Sequence, residues 1–268
     1  MKRCKWCNLN NPKYVKYHDT EWGVFNNDEK YLYEMFILET FQAGLSWECI
    51  LNKKENFEKA YDNFDIDKII KYDDDKTNSL FKDDGIIKNK RKIIAIINNS
   101  KIYKNIVLEN GSFYNYLCKF TKGKIYYEND LVTSPLSDEI SANLKSLGMT
   151  FVGSITIYSY LQAVGIINSH EIDCAYRDVN FDYLLNDITM FKKILNDYLK
   201  AHLTVEIKLT INNEDYLIIT LENKLSFQKI KDGKEIYFPS VKELFEANLI
   251  SGKSLNNEFK NIQKIEEI

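Results

Sequence analysis

The hydrophobic periodicity of this chain changes near residue 178 and separates two kinds of sequence. Before that point, Ser46 and Ser137 precede helical stretches and can accept hydrogen bonds from the amides of a first helical turn. The segment 155–161 is ambiguous, because its β-branched residues also alternate as they would in a strand. Five segments have helical length and few helix-breaking residues: 28–44, 46–60, 88–107, 137–147 and 153–166. The first 177 residues are therefore predicted to be mainly helical.

The last third of the chain shows a pattern typical of strands. The segments 203–211 and 216–221 are rich in Val, Ile, Leu and Thr and flank the polar residues 212–215. Partial alternation on both sides of a polar turn predicts a β-hairpin. A third short strand is predicted over 225–230.

Two helices complete this region. Ser240 and Glu243 have capping-box spacing at the start of one of them. The segment 181–200 predicts the other, which would link the strands to the helical part. The predicted fold class is therefore mainly α, with a helical domain over 1–177 and a small α+β appendage over 178–268. The sequence indicates no role for the appendage.

The composition restricts the class of protein. With 268 residues and 44% hydrophobic content, the chain can bury a substantial core. No apolar run approaches the ~18–20 residues that span a bilayer, and the charges of residues 2–5 are not followed by an apolar stretch. Five scattered cysteines, an odd number, argue against a disulfide framework and fit a reducing compartment. We therefore expect a soluble, cytoplasmic protein with no membrane partner. A monomer is the expected oligomeric state.

Glu39 interrupts an apolar stripe. On a helix that starts near Asp28 it lies seven residues after Leu32 and three after Phe36, so it points where the apolar side chains point. A carboxylate is almost never fully buried without a partner, and no Lys or Arg lies within a helical turn of this one. A cationic or hydrogen-bonding ligand is one explanation. A helix edge at which Glu39 reaches water is the other.

Cysteine and histidine residues offer a metal site. His170 and Cys174 lie four residues apart, which places both on one face of a helical turn and suits a tetrahedral Zn²⁺ ion. Cys4 and His18 supply two more candidate ligands, while Cys7 forms a competing C-x2-C pair with Cys4. Buried cysteines beside an unrelated histidine are the alternative to a metal. Four protein ligands would leave no open position for water, so such a metal would be structural.

Aromatic residues lie close in sequence to these ligands and to Glu39. Aromatic walls and one carboxylate can hold a flat, positively charged ring through stacking and cation–π attraction. The alternative is that all of these rings belong to the core. The four residues are Tyr14, Tyr17, Trp22 and Trp47.

Taken together, these residues resemble the DNA-3-methyladenine glycosylase I family. The resemblance covers residues 1–177 and implies an α-helical member of the helix–hairpin–helix glycosylase superfamily with one structural zinc ion per chain. The matching segments occur in the family's order: Arg3-Cys4, 14–24, 39–47, 84–88, 151–153, Gln162-Ala163 and 170–174. The implied zinc ligands are Cys4, His18, His170 and Cys174, without Cys7.

The resemblance also implies roles for the pocket residues. Glu39 matches the residue that contacts the damaged adenine, and it is the candidate catalytic residue. Family members lack both a lysine nucleophile and a catalytic aspartate after the hairpin, and residues 154–170 of this chain contain no acid. The aromatic residues match positions that stack on the base or wall the pocket: Tyr17 and Trp47, and with them Trp22 and Tyr14.

Three features predict the surface that contacts DNA. The segment 147–153 has the form of a helix–hairpin–helix turn, in which Gly148 and Gly153 let backbone amides face a phosphate. Leu45, an apolar residue in a turn, either fills the gap left by a flipped nucleotide or belongs to the core. The third is a basic cluster, which consists of Lys88, Lys90, Arg91 and Lys92. Without a neighbouring site, the alternative is that such a cluster is only a solvated helix face. The net charge of −3 gives no separate indication of nucleic-acid binding.

The implied function is base-excision repair of alkylated DNA. The chain would flip 3-methyladenine out of double-stranded DNA, hydrolyse its N-glycosidic bond as a monofunctional enzyme, and release the free base. One alternative is a non-catalytic protein that binds damaged DNA on the same fold. Another is a structural zinc module whose function lies in the appendage. A zinc deaminase is disfavoured, because the sequence has no His-x-Glu with Pro-Cys-x2-Cys.

Overall fold

The computed structural model describes residues 1–177, 184–185 and 187–268. It contains two compact units, Cys4–Ser169 and His170–Ile268, the latter together with Met1–Arg3. Of the predicted linker helix, residues 181–183 and 186 lie outside the described residues. Among the helices of the described ranges, none is both long enough and apolar enough to cross a bilayer.

The unit Cys4–Ser169 is helical, apart from one pair of short parallel strands. Each of the five segments predicted to be helical contains a helix, and the ambiguous segment 155–161 belongs to one of them. The segment 46–60 forms two helices that meet at Lys53. The strands are β1 (Tyr126–Tyr127) and β2 (Ile167–Asn168). The helices are α1 (Pro12–Thr20), α2 (Glu29–Gln42), α3 (Trp47–Asn52), α4 (Lys54–Ala60), α5 (Ile66–Ile69), α6 (Asp74–Lys82), α7 (Lys90–Asn110), α8 (Phe113–Thr121), α9 (Pro135–Ser146) and α10 (Ser154–Ala163), with a 3-10 turn at Asp62–Phe64.

Helix α2 is the central helix of this unit. It begins where the Asp28 side chain accepts a hydrogen bond from the Tyr31 amide. Every residue from Met35 to Phe41 is buried, because α7, α8 and α10 pack around it. A helix that is covered on all sides buries whatever residue its sequence places there, polar or not.

The predicted helix starts hold with one correction. Ser46 caps α3 and accepts from the amide of Cys49. Ser137 is not the cap of α9: Ser134 is, and Ser137 forms the other half of a capping box with it. The reason is Pro135, whose fixed φ and missing N–H suit the first helical position and start the helix earlier than predicted.

The loop between α1 and α2 lies directly on the backbone that follows α10. The amide of Asn26 donates to the Val164 carbonyl at 3.1 Å. Gly165 has φ +70°, and a Cβ atom there would lie 2.2 Å from the carbonyl carbon of Val24 and 2.3 Å from the nitrogen of Phe25. Only glycine allows this approach.

The second unit is built on a five-stranded antiparallel sheet. Its strand order is β6-β5-β4-β3-β9. Helix α11 packs against β4, and α12 packs against β5 and β6. The elements are α11 (Ile188–Lys200), β3 (Val205–Ile211), β4 (Glu214–Thr220), β5 (Leu225–Lys229), β6 (Glu235–Phe238), α12 (Val241–Glu246), β7 (Asn248–Ile250), β8 (Lys253–Ser254), α13 (Leu255–Glu258) and β9 (Ile262–Glu267), with a 3-10 turn at Phe259–Asn261.

The structure confirms the predicted β-hairpin and third strand of this unit. The hairpin turn is tighter than predicted, because Asn212 and Asn213 alone form it, both with positive φ. Such a two-residue turn matches the twist of the flanking strands. Ser240 caps α12 as predicted. Four further strands of this unit were not predicted: β6, β7, β8 and β9.

Candidate active site

Glu39 is buried in α2, with 3% of its surface exposed. Among the residues that the structure describes, no hydrogen-bond donor contacts its Oε2 atom. Burial raises the pKa of the carboxyl to about 8, since the charged form is poorly solvated there. The burial predicted from the apolar stripe is confirmed, and a helix edge in contact with water is excluded. The carboxyl group therefore has unused hydrogen-bonding capacity inside the protein.

Tyr17 and Trp47 form an aromatic pair next to this group. They are brought together because α1 packs against α3, and their ring centroids lie 5.0 Å apart at an interplanar angle of 43°. Burial raises the pKa of the Tyr17 hydroxyl, and the charge of Glu39 raises it further, so the two groups lie within electrostatic reach. The indole Nε1 of Trp47 is also buried and has no hydrogen-bond partner within the described part of the chain. The pair thus adds two aromatic rings and a second unused polar atom.

Glu48 fixes the helices that carry this aromatic pair, a role that sequence reasoning missed. Its Oε1 atom accepts hydrogen bonds from the Nδ2 atoms of Asn8 and Asn11, each at 2.8 Å. Asn11 is also the N-cap of α1, and Glu48 lies in the first turn of α3. One carboxylate therefore ties the start of α1 to the start of α3. The available signal was a carboxylate directly after Trp47 with two asparagines before α1.

Tyr14 and Trp22 surround Trp6, a residue that the sequence analysis did not single out. The Trp6 ring centroid lies 5.3 Å from that of Tyr14 and 4.6 Å from that of Trp22. It also lies 5.2 Å from the imidazole of His18. Tyr14 and Trp22 thus belong to an aromatic cluster centred on Trp6, whereas Tyr17 contacts Trp47.

The turn after α2 exposes Leu45. The Leu45 amide donates to the Gln42 carbonyl at 2.7 Å, and Gly44 has φ +80° at the third position of the turn. A type II turn requires this conformation, which glycine adopts without strain. The Leu45 side chain is 38% exposed, so this residue lies at the surface and not in the core.

The predicted hairpin 147–153 connects α9 to α10. Gly148 has φ +95°, and Gly153 is the N-cap of α10. Helix α7 supports the hairpin through two asparagines. Asn99 exchanges two hydrogen bonds with the backbone of Thr150, at 2.8 and 3.1 Å, and Asn98 donates to the Gly148 carbonyl at 3.1 Å.

The basic cluster does not share one environment. Lys88, Lys90 and Arg91 are exposed, and Lys88 pairs with Asp84. Lys92 is buried, and its ammonium group donates to backbone carbonyls. The prediction that Lys92 contacts DNA is therefore corrected: the register of α7 turns this residue inward.

The four predicted metal ligands are buried and form a cluster. Their ligand atoms all lie within 4.8 Å of one another. Two thiols and two imidazoles are a donor set of structural zinc sites, whose tetrahedral ligand distances of ~2.0–2.3 Å fit a cluster of this size. The Nδ1 atom of His18 lies 2.8 Å from Asp19 Oδ1, the kind of partner that orients a ligating imidazole. The ligand atoms belong to Cys4, His18, His170 and Cys174.

Residues 6–178 of the chain match the family model described as methyladenine glycosylase. A relative from Escherichia coli strain K12, named DNA-3-methyladenine glycosylase 1, is 39% identical over 182 residues. That alignment covers 65% of this chain and 96% of the relative.

Solved structures agree with the sequence match. The 3-methyladenine DNA glycosylase I of Staphylococcus aureus, whose structure concerns 3-methyladenine recognition, has a TM-score of 0.64 and 30% identity. The match covers 67% of this chain and 98% of that one. A variant of a 3-methyladenine DNA glycosylase I in complex with 3-methyladenine also has a TM-score of 0.64 and 30% identity, with 67% and 100% coverage.

Proposed function

This chain belongs to the methyladenine glycosylase family and is a DNA-3-methyladenine glycosylase, and we propose that Glu39, Tyr17 and Trp47 hold the methylated base during its excision. The observation that carries this proposal is a buried carboxyl group whose Oε2 atom has no partner among the described residues and which lies within electrostatic reach of Tyr17, whose ring contacts that of Trp47. Burying such a carboxyl group costs free energy unless a bound ligand supplies the missing hydrogen bond or charge. The methylated base in DNA is a flat cation, which complements both the carboxylate and the ring faces.

The pocket discriminates by charge. Neutral adenine gives a buried carboxylate no compensation for its lost solvation, whereas a base methylated at N3 brings a positive charge to it. Glu39 accepts a hydrogen bond from the exocyclic amine and stabilises the cation. Flipping a nucleotide out of the duplex costs a few kcal/mol, and the cost is lowest for a damaged pair. The preference of the pocket for a charged base therefore adds to the selectivity that arises from this lower flipping cost.

The chemical step needs little acid catalysis, because methylation has already made the base a good leaving group. The bond between C1′ and N9 breaks, and its electron pair neutralises the departing base. Water adds to the oxocarbenium-like C1′ atom and gives its proton to solvent. The products are free 3-methyladenine and an abasic site in an unbroken strand. No lysine nucleophile takes part, which makes the enzyme monofunctional.

Zinc bound by Cys4, His18, His170 and Cys174 would have a structural role. Four protein ligands would complete a tetrahedral coordination sphere, so such an ion would have no open position for substrate or water. Its binding free energy then contributes to folding. One ion per chain is expected.

The DNA-facing surface combines the hairpin 147–153, the turn that carries Leu45, and the exposed cations of α7. The first amides of α10 lie behind the N-cap Gly153, whose missing side chain leaves them open to a phosphate. The exposed Leu45 side chain enters the space vacated by the flipped nucleotide. Lys90 and Arg91 supply the salt-dependent attraction that the negative net charge of the chain conceals.

Replacing Lys90 and Arg91 together by Ala is expected to weaken binding to abasic DNA and to flatten its salt dependence. Each lost phosphate contact should reduce the slope of log affinity against log salt by about 0.9. The measurement is a titration across a salt series. The control variant carries Lys242→Ala and Lys260→Ala, two exposed cations of the second unit. An unchanged slope in the α7 variant would place its cations away from DNA.

The function is tested by incubating the protein with methylated duplex DNA and identifying the released bases by mass spectrometry. Free 3-methyladenine should appear in equal number with abasic sites, and the strand should break only after alkali treatment. Tight binding to the methylated duplex without base release would instead identify a non-catalytic protein that binds damaged DNA.

A further inference from the structure

Lys92 is a buried lysine that joins two parts of the proposed DNA-facing surface. It lies in the first turn of α7 and is 4% exposed. Its Nζ atom donates to the carbonyl oxygens of Phe41 at 2.7 Å and Ala43 at 2.6 Å. Phe41 lies in the last turn of α2, and Ala43 is the first residue after that helix.

The two carbonyls need an external donor. The last carbonyl groups of an α-helix have no amide partner within the helix, and a cation at this end also interacts favourably with the helix dipole. Ala43 is the second residue of the turn that presents Leu45. The Lys92 ammonium therefore fixes the point from which the Leu45 turn leaves α2.

The same ammonium group faces the hairpin. Its Nζ atom lies 5.9 Å from the ring centroid of Phe151, within the range of a cation–π contact. Phe151 is a non-glycine residue with φ +57°, so its conformation depends on what surrounds it. The hairpin thus receives support from α7 at Lys92 as well as at Asn98 and Asn99.

Packing alone does not explain a buried ammonium group, because burying its charge costs free energy. Burial lowers the pKa of Lys92, and among the described residues it forms no ion pair with a carboxylate. An apolar side chain of similar length would fill the same space without the cost of burying a charge. What the lysine adds is a set of directed donors.

We propose that Lys92 is a positioning residue that holds the Leu45 turn and the hairpin 147–153 in one fixed arrangement. The Leu45 side chain and the amides of the hairpin then contact the same stretch of duplex at the same time. This inference rests on the proposed function, because it concerns how DNA is bent and its base flipped. It separates two functions. The pocket of Glu39, Tyr17 and Trp47 recognises the base, whereas Lys92 positions the groups that contact the duplex.

The experiment compares Lys92→Met, Lys92→Arg and the wild type. Lys92→Met keeps the apolar stem and removes the donors, whereas Lys92→Arg keeps the charge and the donors. Lys119→Met, at an exposed lysine of α8, is the control for loss of one charge. Two quantities are measured on each folded protein: kcat and KM for base release from methylated duplex, and the affinity for free 3-methyladenine.

We expect Lys92→Met to lower kcat/KM about tenfold or more, since small misplacements of a working group have effects of this size. Its affinity for the free base should stay within about twofold of the wild type, because the pocket itself is intact. Lys92→Arg should recover part of the loss. Wild-type kcat/KM in Lys92→Met would overturn the proposal, and so would a parallel loss of both quantities.

A second variant covers the case in which Lys92→Met does not fold. Phe151→Leu removes the ring that faces the ammonium and leaves the bonds to α2 in place. It should lower kcat/KM in the same direction with unchanged affinity for the free base, and a wild-type value there would overturn the proposal. Failure of the wild type to release 3-methyladenine is a separate outcome, which refutes the proposed function.

Discussion

Replacing Glu39 by Gln is expected to lower kcat/KM for 3-methyladenine release about 10- to 100-fold at pH 8.5. The variant keeps the shape of the side chain and one acceptor oxygen but loses the charge. A hydrogen bond to a charged group contributes about 1.5–3 kcal/mol, and that difference is lost. Affinity for free 3-methyladenine should fall as well. Glu109→Gln, at an exposed residue of α7, is the control and should behave as the wild type.

The pH profile gives this prediction a second measurement. Because burial raises the pKa of Glu39 to about 8, the carboxyl of the free enzyme is mostly protonated at pH 7. If the ionised form recognises the cationic base, kcat/KM should rise with pH and level off above about 8, since kcat/KM reports the pKa values of the free enzyme. Glu39→Gln should lack this rise. An equal rise in both proteins would show that another group titrates.

The same substitution should stabilise the fold. Between the ordinary pKa of a glutamate and about 8, the folded protein keeps a proton on Glu39 that the unfolded chain has released. Wild-type stability therefore falls as pH rises through this window, by up to about 1.4 kcal/mol per pH unit. Glu39→Gln escapes this loss, so its advantage in thermal stability should grow from pH 5 to pH 8. A wild type that gains stability over this range would contradict the buried, partnerless state.

Replacing Cys174 by Ala is expected to remove the proposed zinc ion and to destabilise the protein on the order of 4 kcal/mol or more, because the binding free energy of such an ion would contribute to folding. The measurements are zinc per chain by elemental analysis and the thermal midpoint. At a temperature where the variant is still folded, kcat should be close to that of the wild type. A well-folded wild type without stoichiometric zinc would refute the assignment.

Cys7→Ala is the matched control for this substitution. Cys7 is 7% exposed and Cys174 is 6% exposed, but Cys7 is not part of the ligand cluster. The Cys7 variant should keep its zinc and lose only about 1 kcal/mol, as an average substitution does. Loss of zinc from both variants would assign the ligands to the competing C-x2-C pair.

Sequence patterns predicted those parts of the fold that depend on interactions between residues close in sequence. The apolar stripe of α2 and the caps at Ser46 and Ser240 depend on residues within one or two turns, and these predictions hold. Strand β9 was missed because its partner β3 lies more than fifty residues earlier. No local pattern distinguishes such a strand from a polar tail.

The same distinction between contacts that are local in sequence and contacts that are distant applies to the candidate site. The burial of Glu39 could be predicted, because it follows from the period of its own helix. The burial of Lys92 could not be predicted, because the carbonyls that bind it belong to the end of α2 and the turn after it, some fifty residues away. Nothing in the sequence next to Lys92 is unusual. Trp6 was missed for a similar reason, since its ring contacts come from residues on and after α1.

The glycine that follows α10 has a consequence for how this pocket tolerates sequence change. Gly165 lets the loop between α1 and α2 lie directly on the main-chain atoms that follow α10, so a main-chain contact sets the position of this loop. The Val24 side chain is 47% exposed and takes no part in this contact, so the contact leaves the residue type at position 24 free to change. A single added methyl group at Gly165 has no such freedom. In a comprehensive substitution screen this position should be as intolerant as Glu39, although it takes no part in the chemistry.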